Sequence, residues 1–413
     1  MQRRTFLQTS LAAAFGAALR AVADDKPGRR PRLLLKSSWQ TVNIGDIGHT
    51  PGVLALLEKH LPEADVRLWP NDVGDGVAEM LRKRFPGLVI VQDADAVKRA
   101  FAECDFLLHG SGASLVAAAQ VDRWRRETGK PYGVYGITVP EADEKTLDLL
   151  NAARFVFCRD SVSLKLLKDR GCTCPILAFG PDGAFGVDLR DDEASIAFLR
   201  ANGLEEGRFL CCIPRLRKTP YWRIRGKPMT AEDEKSHALN ERMKEHDHAP
   251  LRAAIVSVVK ETPMKVLLCP EDRSQMAVGR EMLFDPLPDD VKRRVVWRET
   301  YWLTDEALST YVRSAGLFGN EMHSPIMCVG NGVPAVVCRW SQQTSKGFMW
   351  RDIGLGEWLF DFDDERDLPR VAPAVLAIAR DPAAAKEKAA RAREVVRKYQ
   401  RETMAVVEKA ARG

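Results

Sequence analysis

A histidine and a carboxylate stand two residues apart in Gly316–Trp340, read as GLFGNEMHSPIMCVGNGVPAVVCRW. A short apolar run leads to Asn320, Glu321, His323 and Ser324, then to an apolar stretch from Pro325, a Gly-Asn-Gly stop and a second apolar run. This order predicts strand, helix, strand, with Pro325 in the first helical turn and Gly330 and Gly332 at the end. His323 and Glu321 then sit where a strand's carboxyl end meets a helix N-terminus. In open α/β sheets ligands bind there, and free backbone N–H groups favour anions. An anionic donor or substrate belongs there.

Other strand ends carry loops of the same kind. Asn43, Gly45, Asp46 and His49 precede a helix expected to open near Pro51, which reads as a binding loop or as a simple turn built on Gly and Asx chemistry. Gly110-Ser111-Gly112 follows another strand, with Ser114 as a candidate cap for the next helix. Its spacing is that of neither a dinucleotide fingerprint nor a Walker loop, so NAD and ATP are not supported. Arg159-Asp160-Ser161 joins a strand to a helix. Either Asp160 or Ser161 serves as its N-cap, while the planar fork of Arg159 suits a carboxylate or phosphate in the cleft. Asp182 is a turn former or a cleft carboxylate. Arg215, Arg217 and further basic residues to Lys227 interleave with Tyr221 and Trp222 after a later strand, a pattern suited to an acidic glycan or a phosphorylated donor.

The elements that position these residues are legible in the alternation of apolar runs and helical patterns. Runs at 33–38, 64–69, 88–92, 105–110, 132–139, 154–160 and 175–180 read as strands, and the pattern restarts at FLCCIP, continuing through MKVLLCP, RVVWRE, GLFGNE and AVVCRW. Continuous apolar strands separated by amphipathic helices indicate mostly parallel sheets covered on both faces. The expected fold is two Rossmann-like α/β domains, 31–190 and 207–372, with a boundary near 187–207, helices over 373–413 and the site in the cleft between the domains.

Composition narrows the function classes. The chain has 413 residues, a formal charge of +5 and 45% hydrophobic content. Without residues 1–23, which hold Arg3, Arg4 and Arg20 and no acid, the charge falls to +2, arguing against nucleic-acid binding. Arg3-Arg4-Thr5-Phe6-Leu7, a small apolar stretch and Ala21-Val22-Ala23 predict a twin-arginine export signal and a periplasmic or cell-envelope destination. No other apolar run reaches spanning length. The nine cysteines, mostly in apolar runs, read as buried thiols. No metal site is expected. Cys172-Thr-Cys174 is too sparse for zinc, and His237, His246 and His248 read as a solvated helical face.

In sequence, NIGD, DFLLHGSGASL, FVFCRDSVSLKLLKDRG, GPDGAF, CIPR, EMHSPIMCVGNGVPAVV and SKGFMWRDIGL resemble the polysaccharide pyruvyl transferase family over nearly all of the chain after the signal. The resemblance implies a glycosyltransferase-B-like fold and transfer of a pyruvyl group from phosphoenolpyruvate, a co-substrate and not a cofactor, to a sugar of a cell-envelope polysaccharide, forming a ketal. Asn43, Gly45 and Asp46 match the first glycine loop, Gly110 to Gly112 the second, and Arg159 and Asp160 the Arg-Asp pair. Arg215 matches the arginine ending the first strand of the second domain, and Lys346 the lysine after the final strand. The family's Arg-Leu-His reads Glu321-Met322-His323 here, so a carboxylate replaces a cation beside the kept histidine.

On this reading His323 is the acid, and Arg159 and Arg215, with Arg217, Lys346 and Ser324, hold donor anions. Asp46 or Glu321 is the base or acceptor-orienting carboxylate. Two alternatives are a glycosyltransferase or glycan-processing enzyme using Glu321 and Asp46, and a non-catalytic envelope glycan-binding protein. The acceptor sugar and oligomeric state are not legible.

Overall fold

Short apolar runs followed by helices pair side by side, as continuous hydrophobic strands do when both faces are covered. The computed structural model describes residues 30–413, so the export-signal motif at 1–23 lies outside the described residues. The first sheet contains β1 (Arg32–Ser37), β2 (Asp65–Pro70), β3 (Val89–Ile90), β4 (Phe106–His109), β5 (Tyr132–Ile137), β6 (Val156–Cys158) and β7 (Leu177–Phe179). The second contains β8 (Phe209–Ile213), β9 (Lys265–Leu268), β10 (Val295–Trp297), β11 (Gly316–Gly319), β12 (Ala335–Arg339) and β13 (Leu359–Asp361). Their orders are β3-β2-β1-β4-β5-β6-β7 and β10-β9-β8-β11-β12-β13, and every pairing is parallel.

Strand order reverses between β1 and β4 and again between β8 and β11. At such a reversal the connecting helices leave to opposite faces and a crevice opens beyond the carboxyl ends. The segments that leave these four strands carry Asn43–His49, Gly110–Gly112, Arg215 and Glu321–His323. The topology therefore selects the same segments that residue chemistry selects.

Seven helices matter for the site and its support: α1 (Ile44–His60), α2 (Ser161–Asp169), α3 (Asp192–Ala201), α4 (Ala231–Glu261), α5 (Thr304–Tyr311), α6 (His323–Gly330) and α7 (Pro382–Arg412). The segment expected as a domain boundary holds α3, which leans on the second domain through Ser195 and Thr310, 3.0 Å between hydroxyls. The C-terminal helix α7 returns to the first domain, where Tyr399 packs edge-on against Phe179 at 4.9 Å and Thr403 meets the Tyr135 hydroxyl at 3.3 Å.

Three expectations are corrected. His248 is buried inside α4, its Nδ1 against the Lys244 carbonyl, so the histidine-bearing stretch is not a purely solvated face. The run at 88–92 forms only the two-residue β3, and β13 was not anticipated. Both are short strands at sheet edges, where no alternation has room to show. All nine cysteines are free and all but Cys172 are buried. Among the described residues no helix is long and apolar enough to cross a membrane.

Candidate active site

Asn43 starts the first wall. Its side-chain oxygen accepts from the Gly45 and Asp46 N–H groups at 2.7 and 3.1 Å, so α1 begins at Ile44. The helix does not open near Pro51, which lies inside it. An effective N-cap satisfies donors that would otherwise need water, and this starts the helix early. The supposed loop residues Gly45, Asp46 and His49 thus occupy the first turns of a helix aimed at the second domain, where the Ile44 N–H donates to the Glu271 carbonyl at 2.9 Å. A side chain at Gly45 would collide with the His323 ring and the Glu271 carboxylate; only glycine permits this approach.

Behind α1 lies a buried network. His49 Nδ1 stands 2.7 Å from Ser111 Oγ and 3.0 Å from Asp182 Oδ1, and Asp182 is ion-paired with Arg159. Arg159 Nε donates to Thr138 Oγ1 at 2.8 Å, and Thr138 in turn donates to Asp160 at 3.0 Å. Asp160, not Ser161, caps α2. Burial would raise the Asp182 carboxyl, but His49 and Arg159 outweigh it and hold the group well below the usual range. Ser114 caps nothing, because the next helix has Ala117 at its N-cap with no side-chain bond. Gly110 sits tight against Ser37, where an added side chain would meet its hydroxyl.

The second wall is built on β8, β9 and β11. Glu321 accepts from Arg215 Nη1 at 2.7 Å and from Gln275 Nε2 at 2.6 Å. Glu271 Oε1 lies 3.3 Å from His323 Nδ1, while Oε2 accepts from the Ser324 N–H at 2.7 Å. One carboxylate thus fixes both the ring and the start of α6. Ser324 Oγ turns to the Tyr311 hydroxyl at 3.3 Å. Sequence reasoning passed over Glu271, Asp272 and Gln275. The signal was available, since they follow the apolar run MKVLLCP at a strand's carboxyl end like the residues that were chosen.

Arg217 lies apart. In place of the expected donor contact, its guanidinium is held by Asp247 at 2.8 and 2.9 Å and by Asp363 at 2.7 Å, and it lies over the Trp340 ring. It ties α4 to the end of the second sheet.

The electrostatics of the shared interior are set by burial first. Burial raises Glu321 to about 7 despite Arg215, and Asp272 to about 6 with the help of Glu321. Burial, then repulsion from Arg215, lowers the Lys346 ammonium to about 8. His323 is pushed well below the ordinary imidazole value by burial, then by Lys346 and His49. Burial would raise Asp46, but His323 and His49 bring it below the carboxylate range. Several polar atoms here are buried without partners: His323 Nε2, Arg159 Nη2, Arg215 Nε and both amide atoms of Asn320. Buried polar atoms are almost always paired, so a cluster of unpaired ones marks a place prepared for a ligand. Asp46, His49 and His323 also bring ligand atoms within 4.8 Å of one another, a set able to hold a metal ion.

Two Rossmann-like domains facing across such a cleft define a glycosyltransferase-B-like protein. A UDP-N-acetylglucosamine 2-epimerase from Neisseria meningitidis bound to UDP-GlcNAc has this fold, at 10% identity and a TM-score of 0.53, with 91% of this chain and 100% of that one covered. So does the Anabaena protein HepE in complex with UDP and glucose, at 11% identity and 0.54, covering 92% and 99%. Residues 43–342 match the family model of polysaccharide pyruvyl transferases, and the chain belongs to that family. The match runs from the Asn43 cap to just short of Lys346. No curated protein matches the chain by sequence.

Proposed function

We propose that this protein transfers the pyruvyl group of phosphoenolpyruvate to a sugar of a cell-envelope polysaccharide, forming a ketal and releasing phosphate. The observation that carries this reading is the buried, unpartnered Nε2 of His323, in a site that also holds unpartnered guanidinium nitrogens of Arg159 and Arg215, with Lys346 and Arg159 both acting on the ring. An anion held by these cations brings its reacting carbon to an imidazole.

The step balances as follows. His323 gives a proton to the methylene carbon of the donor, C2 becomes electrophilic, and one sugar hydroxyl adds there while its proton returns to the base. A second hydroxyl of the same sugar then forms the other C–O bond, the C2–O–phosphate bond breaks, and the phosphate leaves with that hydroxyl's proton. Glu271 holds the ring through Nδ1 and so turns Nε2 toward the donor. Asp46 or Glu321 orients the acceptor hydroxyls. Burial and Lys346 disfavour the protonated His323 ring; a trianionic donor offsets the repulsion from Lys346 and favours it. Glu321, where the family commonly has arginine, is already neutralised by Arg215 and therefore repels the donor less than a bare carboxylate. The export motif at 3–7 supports an envelope acceptor.

His323→Ala is expected to abolish phosphate release and the ketal methyl signal in NMR of the product, with its thermal unfolding close to the parent's. Retained turnover removes His323 from the chemistry. A second reading is favoured by one observation, the buried carboxyl of Glu321 raised to about 7, which suits a general acid in glycosyl transfer or glycan processing. Release of nucleotide from a sugar nucleotide, with no phosphate from phosphoenolpyruvate, would decide for it.

A further inference from the structure

Asp46, His49 and His323 come from α1 and from the start of α6, one wall each, and no spacing in the sequence joins them. Their ligand-capable atoms lie within 4.8 Å of one another, and the two imidazole rings meet edge to face at 4.8 Å between centroids. Two imidazoles and one carboxylate leaving open positions form a set that divalent transition ions favour.

A second observation points to a ligand. Each histidine is held at Nδ1 by a buried carboxylate: His49 by Asp182 at 3.0 Å and His323 by Glu271 at 3.3 Å. A carboxylate accepting at Nδ1 places the proton there and leaves Nε2 as a lone pair, the outer-shell arrangement that supports metal-bound histidines. His323 Nε2 is buried without a partner, in a residue only 5% exposed. Asp182 and Glu271 are themselves fully buried, and Asp182 is anchored further by Arg159.

We propose that Asp46, His49 and His323 bind one divalent transition-metal ion of the zinc type, with Asp182 and Glu271 orienting the two imidazoles. The site competes with the pyruvyl-transfer reading, because an ion on His323 Nε2 takes the lone pair that must carry the acid's proton. On that reading the metal-loaded protein is inactive and chelation restores turnover.

The full-length protein, stripped with chelator, is titrated with cobalt(II) and then zinc(II), following cobalt's visible absorption. One cobalt per chain is expected, displaced by zinc, with a first shell containing two imidazoles at about 2.0–2.1 Å by X-ray absorption and no thiolate signature. His49→Ala is expected to remove binding, and Glu271→Gln to weaken it about 10- to 100-fold. Absence of cobalt binding by the parent protein overturns the proposal, as does an imidazole-free or sulfur-containing shell or undiminished binding by His49→Ala. The X-ray absorption result on the parent decides the matter even where a variant fails to fold. Phosphate release from phosphoenolpyruvate by the stripped protein is scored separately, so failure of either idea leaves the other standing.

Discussion

Glu321 is bonded by Arg215 and Gln275 and raised by burial to about 7, although a carboxylate in an arginine's place reads as repulsion toward an anionic donor. As pH rises through about 7 the group ionises, and through about 8 Lys346 loses its charge. Both changes make the interior less positive, so kcat/KM for phosphoenolpyruvate is expected to fall steadily between about pH 6.5 and 8.5. Glu321→Gln removes the first of the two steps and should raise kcat/KM at pH 8 by roughly 3- to 10-fold. A pH profile unchanged by this variant would detach Glu321 from donor binding. For stability the sign follows from a folded pKa above the ordinary 4.5. The folded state holds the proton more tightly, so stability drops as pH climbs from 4.5 to about 7 and does not recover above it. Denaturant midpoints of Glu321→Gln across that window should lack this slope.

At the scale of elements, the site depends on two helix starts meeting with almost no space between them. Gly45 in α1 faces His323 and Glu271, while Gly48, one turn on, faces the flexible end of Met327, with Sδ 3.1 Å from where a Cβ would stand and Val187 at an ordinary contact distance of 3.7 Å. Gly45→Ala must displace a ring and a carboxylate or spread the domains, and is expected to cost about 2–3 kcal/mol in urea unfolding and more than 100-fold in turnover. Gly48→Ala asks only that a thioether move, and replaces a poor helix former by a good one, so its stability should lie within about 1 kcal/mol of the parent's. Equal damage from both would show that the approach of α1 to α6 is looser than drawn. The elements themselves were largely legible. Strands of four or more residues such as FLCCI and GLFG declare themselves as continuous apolar runs, and the restart at residue 209 marks the second sheet. The early start of α1 was not legible, because Pro51 resembles a helix opening and the cap that outcompetes it acts through a hydrogen bond. Glu271 escaped for a related reason: its partners are 52 and 53 residues away, and nothing local distinguishes it from a turn carboxylate.

At the scale of the molecule, the two domains are joined twice, by the segment carrying α3 and by α7, which runs back over the first domain. Tyr399 is the most local test of that return. Tyr399→Ala removes an edge-to-face contact with Phe179 at the rim of the first core and should cost about 2 kcal/mol, read as a lowered urea midpoint with turnover retained in the folded protein. No loss would mean that α7 merely lies alongside. The sequence shows α7 as a helix from its Ala, Lys, Arg and Glu content, but its destination depends on packing between residues more than 200 positions apart, such as Tyr135 and Thr403 at 268. This double tether also bears on how the polypeptide can be divided. A nick in the connector between residues 187 and 207 would leave one piece still wearing the other's C-terminal helix, so two separately produced fragments should reassemble in the way that complementing split enzymes do.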